Sequence, residues 1–235
     1  MRPMPPSAAS RRPHFSALAT ASGLGLVLLL GRMKMTHTHD YAFYPWNLFL
    51  AWLPLLFAEL ARAAARSGRV GWPIAAAVLW LLFLPNAPYL ATDLVHWQPR
   101  PGVPVWFDLL LCLHFAWLGL ALGFISLQIM EAEVTRQCGE RWGRIFAVSC
   151  LSLTSFGIYL GRFRRWNSWD LVSSPAALLG DISTRIANPL SHRGTWAFTL
   201  ICALFLGSAY AVLGTLKNGP STSGGTDKAA PRPSD

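Results

Sequence analysis

The stretch Leu84-Pro85-Asn86-Ala87-Pro88-Tyr89-Leu90-Ala91-Thr92-Asp93-Leu94-Val95-His96-Trp97 ends an apolar run that begins near Trp72 and replaces it with polar groups. Pro85 has no backbone N–H to donate, and Pro88 biases Ala87 away from the α region, so the helix is expected to end or kink here. Asn86 suits the cap of a new helix, with Pro88 tolerated in its first turn. In a short helix over 87–97, Tyr89, Asp93 and His96 share one face, and Leu90, Leu94 and Trp97 share another. The pattern predicts a discontinuous helix at a membrane edge.

Composition supports the membrane setting. Of 235 residues, 53% are hydrophobic and 13% charged, against about 25% charged in soluble domains. The net charge of +9 could suggest nucleic acid, but the basic residues fall in short clusters between apolar runs. Membrane orientation explains them better, and nucleic acid is excluded as a partner. No cysteine pair has redox or metal spacing, and no disulfide is inferred.

The apolar runs are residues 15–31, 41–60, 72–84, 106–130, 142–161 and 196–216. A cleaved signal peptide is the rival reading of the first, but it lacks a small-x-small cleavage site. Asn47, Pro54 and Glu59 interrupt the second. The third is short for a span of roughly 20 residues unless it continues into the broken stretch. Residues 171–186 are too apolar for simple coil and too polar to cross, which predicts helices on the membrane surface. The expected fold is an all-α polytopic transmembrane bundle of about six spans, with a broken third span and interfacial helices between spans five and six. It forms a single domain over 14–216, flanked by disordered 1–13 and 217–235.

Six spans put the first, third and fifth loops on one side, and the suggestive polar residues lie there. Arg162 opens Gly161-Arg162-Phe163-Arg164-Arg165-Trp166-Asn167-Ser168-Trp169-Asp170, where guanidiniums alternate with aromatics. Such arginines anchor at an interface, pair with Asp93, Asp108 or Asp170, or clamp a phosphate or carboxylate. Asn86, Tyr89, Asp108, Tyr159, Arg162, Arg165, Asn167 and Asp170 are therefore candidate ligand contacts, and Asp93 with His96 a candidate acid/base pair. A carboxylate at the membrane edge needs a partner, so Arg162, Arg165 and Asp93 are expected to meet. Ser152 and Ser155 share a helical face with Tyr159 and Arg162, a pattern that predicts interhelical hydrogen bonds. His37 and His39 with Asp40 form a weak metal candidate, for H-x-H in a polar loop is more often exposed. No standard catalytic motif occurs, and nothing specifies a cofactor.

With Trp46-Asn47-Leu48-Phe49-Leu50-Ala51-Trp52, Phe83-Leu84-Pro85-Asn86-Ala87-Pro88-Tyr89, Thr92-Asp93-Leu94, Trp106-Phe107-Asp108, Gly157-Ile158-Tyr159-Leu160-Gly161-Arg162 and Arg165-Trp166-Asn167-Ser168-Trp169-Asp170, the chain resembles the bacterial polytopic family catalogued as domain of unknown function 1361. The resemblance covers about 41–191. It implies a multi-span membrane protein and supplies no activity.

Three functions compete. One is an outer-side polar pocket for an anionic or phosphorylated amphiphile, a small molecule or lipid, with or without catalysis. Another is a small transporter or channel, suggested by the interrupted span, though no internal repeat supports it. The last is a structural or assembly subunit in which the polar residues lock the helices together.

Arginines at the N-terminus, in the second and fourth loops and in the tail place both termini in the cytoplasm of a cell-membrane protein, with the arginine-rich fifth loop dissenting. Alkaline phosphatase fused after Lys217 is therefore expected to be inactive, and an active fusion would overturn the orientation or the span count.

Overall fold

A computed structural model of the chain describes residues 12–67 and 71–217. Nine α-helices follow one another among these: α1 (Arg12–Thr36), α2 (Tyr44–Arg66), α3 (Gly71–Phe83), α4 (Asn86–Thr92), α5 (Val105–Cys138), α6 (Glu140–Arg164), α7 (Asp170–Ser173), α8 (Pro175–Ala187) and α9 (Arg193–Lys217). A single 3₁₀ turn, Asp93–His96, extends α4. Six segments are long and apolar enough to cross a membrane, with α3, α4 and the 3₁₀ turn together forming the third. The protein is a multi-pass helical bundle. Helix α1 begins at Arg12, inside the stretch expected to be disordered, and the rest of that expectation lies outside the described residues, as does the tail from 218 onward.

Helix α5 is the centre, touching α1, α2, α4 and α6. At 34 residues it is about 51 Å long at 1.5 Å per residue, more than a hydrocarbon core of about 30 Å. Its two sides seed two apolar cores. Leu111, Phe115, Leu118 and Leu122 pack with Tyr44, Leu48 and Leu55 of α2 and Leu29 of α1. Phe124, Leu127 and Met130 pack with Trp80, Leu151, Ile158 and Leu206. Helix α9 packs on α6 and leaves Leu200, Ile201, Leu204 and Phe205 exposed, as a lipid-facing helix does.

Two spans carry proline beyond their first turn, and only one breaks. Pro54 lies inside an uninterrupted α2, where a single missing N–H is tolerated in a transmembrane setting. Between α3 and α4, Pro85 and Pro88 withhold two N–H groups three residues apart, and the helix stops at Phe83 and restarts at Asn86. Asn86 does not cap the new helix. Pro85 occupies that position, and the Asn86 amide reaches back to the Phe83 carbonyl at 2.9 Å.

Close backbone approach holds the break in place. A Cβ on Gly119 of α5 would stand 2.3 Å from the Ala87 carbonyl oxygen and 2.8 Å from Leu90 Cβ. On α6, a Cβ on Gly157 would stand 2.6 Å from Pro85 Cγ. Gly123 and Gly161 sit one turn on, so both neighbours present small-xxx-small seams to the broken span. Of the α6 serines expected to bond across helices, Ser155 pairs with Cys202 of α9, and Ser152 makes its bond within α6. Ser152 and Ser155 return their hydrogens to Val148 and Leu151 of their own helix, the usual local alternative for a hydroxyl in a helix.

Replacing Gly119 by alanine is expected to destabilise the protein by about 1–3 kcal/mol, the range for overpacking. Gly180→Ala in α8, where nothing lies within 4 Å of the added carbon, should be neutral or stabilising by up to about 1 kcal/mol. Thermal melting in detergent compares the two, and equal effects would contradict the packing.

Candidate functional site

In an apolar environment each carbonyl freed by a helix break needs another donor. The Phe83 carbonyl receives Asn86 Nδ2, and the Leu82 carbonyl receives Ser168 Oγ at 3.0 Å. Asn86 Nδ2 also donates to Ser168 Oγ at 2.9 Å. Ser168 reaches the break because α6 ends at Arg165 in the left-handed region, φ 60°, with the Trp166 N–H closing on the Leu160 carbonyl at 3.1 Å. The chain then turns back over α3.

At the far end of α4 and in the 3₁₀ turn after it, Arg162 gathers the polar face. Its Nη2 contacts Asp93 Oδ1 at 2.5 Å, and Nε and Nη2 both donate to Thr92 Oγ1, at 3.1 and 2.7 Å. Its guanidinium carbon lies 4.3 Å from the Tyr89 ring centroid. Asn47 Nδ2 supplies the other Asp93 oxygen at 2.9 Å, so a carboxylate 1% exposed has both oxygens bonded. Arg162 Nη1 meets His96 Nε2 at 2.9 Å. A guanidinium only donates, so Nε2 is the acceptor and any ring proton sits on Nδ1. Asp93 and His96 thus both face Arg162 and make no hydrogen bond to each other.

Beside this cluster lies a cleft of about 310 Å³. Leu50, Leu81, Leu160, Leu178 and Ile182 give it apolar walls, while Asn47, Asn86, Asn167 and Ser168 give it amide and hydroxyl edges, with Tyr89 and Trp166 alongside. Its outer wall is the connection carrying α7 and α8, which leaves Leu171, Val172, Leu179 and Ile186 exposed in the manner of an interfacial helix. Asp181 anchors that wall, accepting from Trp166 Nε1 at 2.8 Å and Arg164 Nε at 3.1 Å and pairing with Arg185. Burial pushes the Asp181 carboxyl up, but the Trp166 and Arg164 donors with the Arg185 charge outweigh it and hold the group below its usual range.

The cleft brings together Asn86, Tyr89 and Asn167 of the sequence candidates. Arg162 stands at its edge without lining it. Arg165 does not join Arg162 and Asp93: its left-handed backbone turns it outward, where it is exposed. Asp108 is also elsewhere, bound by Arg32 through Nε and Nη2 at 2.9 and 3.1 Å, and Asp40 bridges that cluster to Arg100 at 2.9 Å. Arg32, fully buried, is therefore an internal partner of α5 and not a free loop charge. Tyr159 packs against Phe163 and Phe198 on the α9 side. Asp170 caps its own turn, and the Asn167 backbone N–H, with Ser173 and the Asn167 amide, holds its carboxyl below the usual range. His37 and His39 are exposed, and among the described residues no three His, Cys, Asp or Glu side chains gather to hold a metal ion.

Asn47, Thr92, Ser168 and Asp181 belong to the site without having been singled out. Asn47 had a signal, as an amide inside an apolar run, but its carboxylate partner lies 46 residues away.

Asp93→Asn and Arg162→Gln are each expected to destabilise by about 3–5 kcal/mol, since each leaves a buried charge alone, and the double variant by less than the sum. Arg162→Lys should not rescue, because an ammonium cannot span Thr92, Asp93 and His96 at once. Denaturation of the four variants measures this, and additive losses would deny the coupling.

A protein-family model described as "Protein of unknown function (DUF1361)" matches residues 46–208. No curated protein and no solved structure matches the chain. The matched residues take in the break, Arg162 with its partners, and every wall of the cleft, and leave out Arg32. Because the match spans most of its length, the chain belongs to the DUF1361 family.

Proposed function

We propose that this integral membrane protein binds one membrane amphiphile in the cleft between the broken third span, α6 and the α7–α8 connection. The observation that carries this is the two-part lining: leucine and isoleucine walls for a chain, and a cluster of amides and a hydroxyl for a head group. The volume is at the lower end of ligand pockets, about 300–1,000 Å³. At about 30 Å³ per water it holds about ten water-sized units, which suits a head group with the first carbons of one chain. By the lysine and arginine balance, the cleft faces outward from the cell membrane and both termini are cytoplasmic.

The anionic head first expected would rest on Arg162 and Arg165. Arg162 is occupied by Thr92, Asp93 and His96, and Arg165 does not line the cleft. Support for the amphiphile therefore comes from the walls and amides. A transport path gains little support, because the Arg162–Asp93 and Arg32–Asp108 pairs gather at one end of the bundle and the described interior beyond them holds hydroxyls, Ser126, Thr154 and Ser155, among apolar side chains but no buried charge. The ion pairs themselves act as helix locks, as a structural role would require.

Ile182→Trp is expected to fill the cleft from its surface wall. Native mass spectrometry of the purified protein should show one retained lipid per wild-type chain and none on the variant, at unchanged melting temperature. Equal retention by both would reject the cleft as the binding site.

A further inference from the structure

The hydrogen-bond inventory of the cleft restricts the head group. Both Asn86 Nδ2 hydrogens are taken, by the Phe83 carbonyl and Ser168 Oγ. The single Ser168 hydroxyl hydrogen goes to the Leu82 carbonyl. Asn47 Nδ2 faces the Asp93 carboxylate and Asn167 Nδ2 the Asp170 carboxylate. The Asn47, Asn86 and Asn167 partners are carbonyl or carboxylate oxygens, which only accept, so these contacts fix which end of each amide is the nitrogen. Among the described residues that line the cleft, Asn47 Oδ1, Asn86 Oδ1 and Asn167 Oδ1 remain as acceptors, and the Tyr89 hydroxyl, Trp46 Nε1 and the second amide hydrogens of Asn47 and Asn167 remain as neutral donors, a mixed set that a hydroxyl, which both donates and accepts, can satisfy.

Charge narrows the class further. Among the described residues, no acidic, basic or histidine side chain lines the cleft. The carboxylates nearby are engaged, Asp93 by Arg162, Asp170 by its own turn and Asp181 by Arg164 and Arg185. A phosphate would meet three carbonyl oxygens of its own polarity and neutral donors, but no lining cation. An ammonium would meet acceptors but no free countercharge, with Arg162 and Arg165 close by. Either ion would lose its hydration without gaining a countercharge.

We infer that the cleft selects an uncharged head group that donates hydrogen bonds, a diol or polyol, over a phosphate or an ammonium. This rests on the amphiphile reading of the cleft and adds the chemistry of the head.

Three probes with the same eighteen-carbon chain test it on the full chain in detergent: monooleoylglycerol, oleoyl lysophosphatidic acid and oleylamine. Monooleoylglycerol should bind at least about 10-fold more tightly than the other two and be lost in Ile182→Trp. Asn167→Leu, on the exposed connection, should weaken it about 3- to 10-fold, the effect of one hydrogen bond, without lowering the melting temperature. If lysophosphatidic acid or oleylamine binds as well or better and is still lost in Ile182→Trp, the polyol inference is overturned and the cleft reading stands. Monooleoylglycerol binding unaffected by Asn167→Leu would also count against the inference. If the three probes bind wild type and Ile182→Trp alike, or bind neither, the cleft reading itself fails.

Discussion

Two missing N–H groups, at Pro85 and Pro88, govern the structure around them. A backbone carbonyl among apolar side chains must find a donor, and here the donors are the Asn86 amide and the Ser168 hydroxyl. Ser168 is within reach only because Arg165 adopts a left-handed backbone that reverses the chain after α6. The neighbouring helices come close enough to support the break only because Gly119 and Gly157 carry no Cβ. The same interruption that needs repair opens the space between α3, α6 and the returning chain, so the cleft is a product of the repair.

Charge is distributed on a consistent plan. Each buried carboxylate belongs to one span and its arginine to another: Asp93 with Arg162, Asp108 with Arg32. Both pairs lie at the end of the bundle formed by the first, third and fifth connections, and the interior beyond them is mainly apolar, with the hydroxyls of Ser126, Thr154 and Ser155 buried in it. Removing one partner of such a pair leaves an unneutralised charge, whereas the intact pair contributes little net stability. Their value is in fixing which helices meet and in what register.

The architecture was legible because apolar run length and proline chemistry are local properties. The six spans, the stop before Asn86 and the surface helices of the fifth connection follow from residues near one another in the chain, though every span overran its apolar run by a few residues. The Arg162–Asp93 contact was legible from topology and electrostatic cost together. Arg165 was not, because a left-handed residue at a helix end is invisible to periodicity. Asp108 was matched with the wrong arginines, because its partner Arg32 lies 76 residues before it at the end of another span, a separation that no local pattern reveals. Asn86 was read as a cap because its type suits that role, but the stronger demand came from a carbonyl three residues behind it. The serine face was legible at Ser155, which meets Cys202 of α9, but not at Ser152, whose hydroxyl has its own helix's carbonyl in reach before any neighbour's.

The separations along the chain carry a consequence for biosynthesis. Arg32 is made 76 residues before Asp108, Asp93 69 residues before Arg162, and the Leu82 carbonyl 86 residues before the Ser168 hydroxyl that bonds it. The first and third spans therefore enter the bilayer with a charge or a bare carbonyl unanswered, and the fifth connection answers the third span only when most of the protein has been synthesised. Closure is therefore stepwise, the fourth span answering the first and the fifth span with its following connection answering the third, so a chain truncated before Ser168 keeps the Leu82 carbonyl bare, a form that cellular quality control can distinguish from the finished protein.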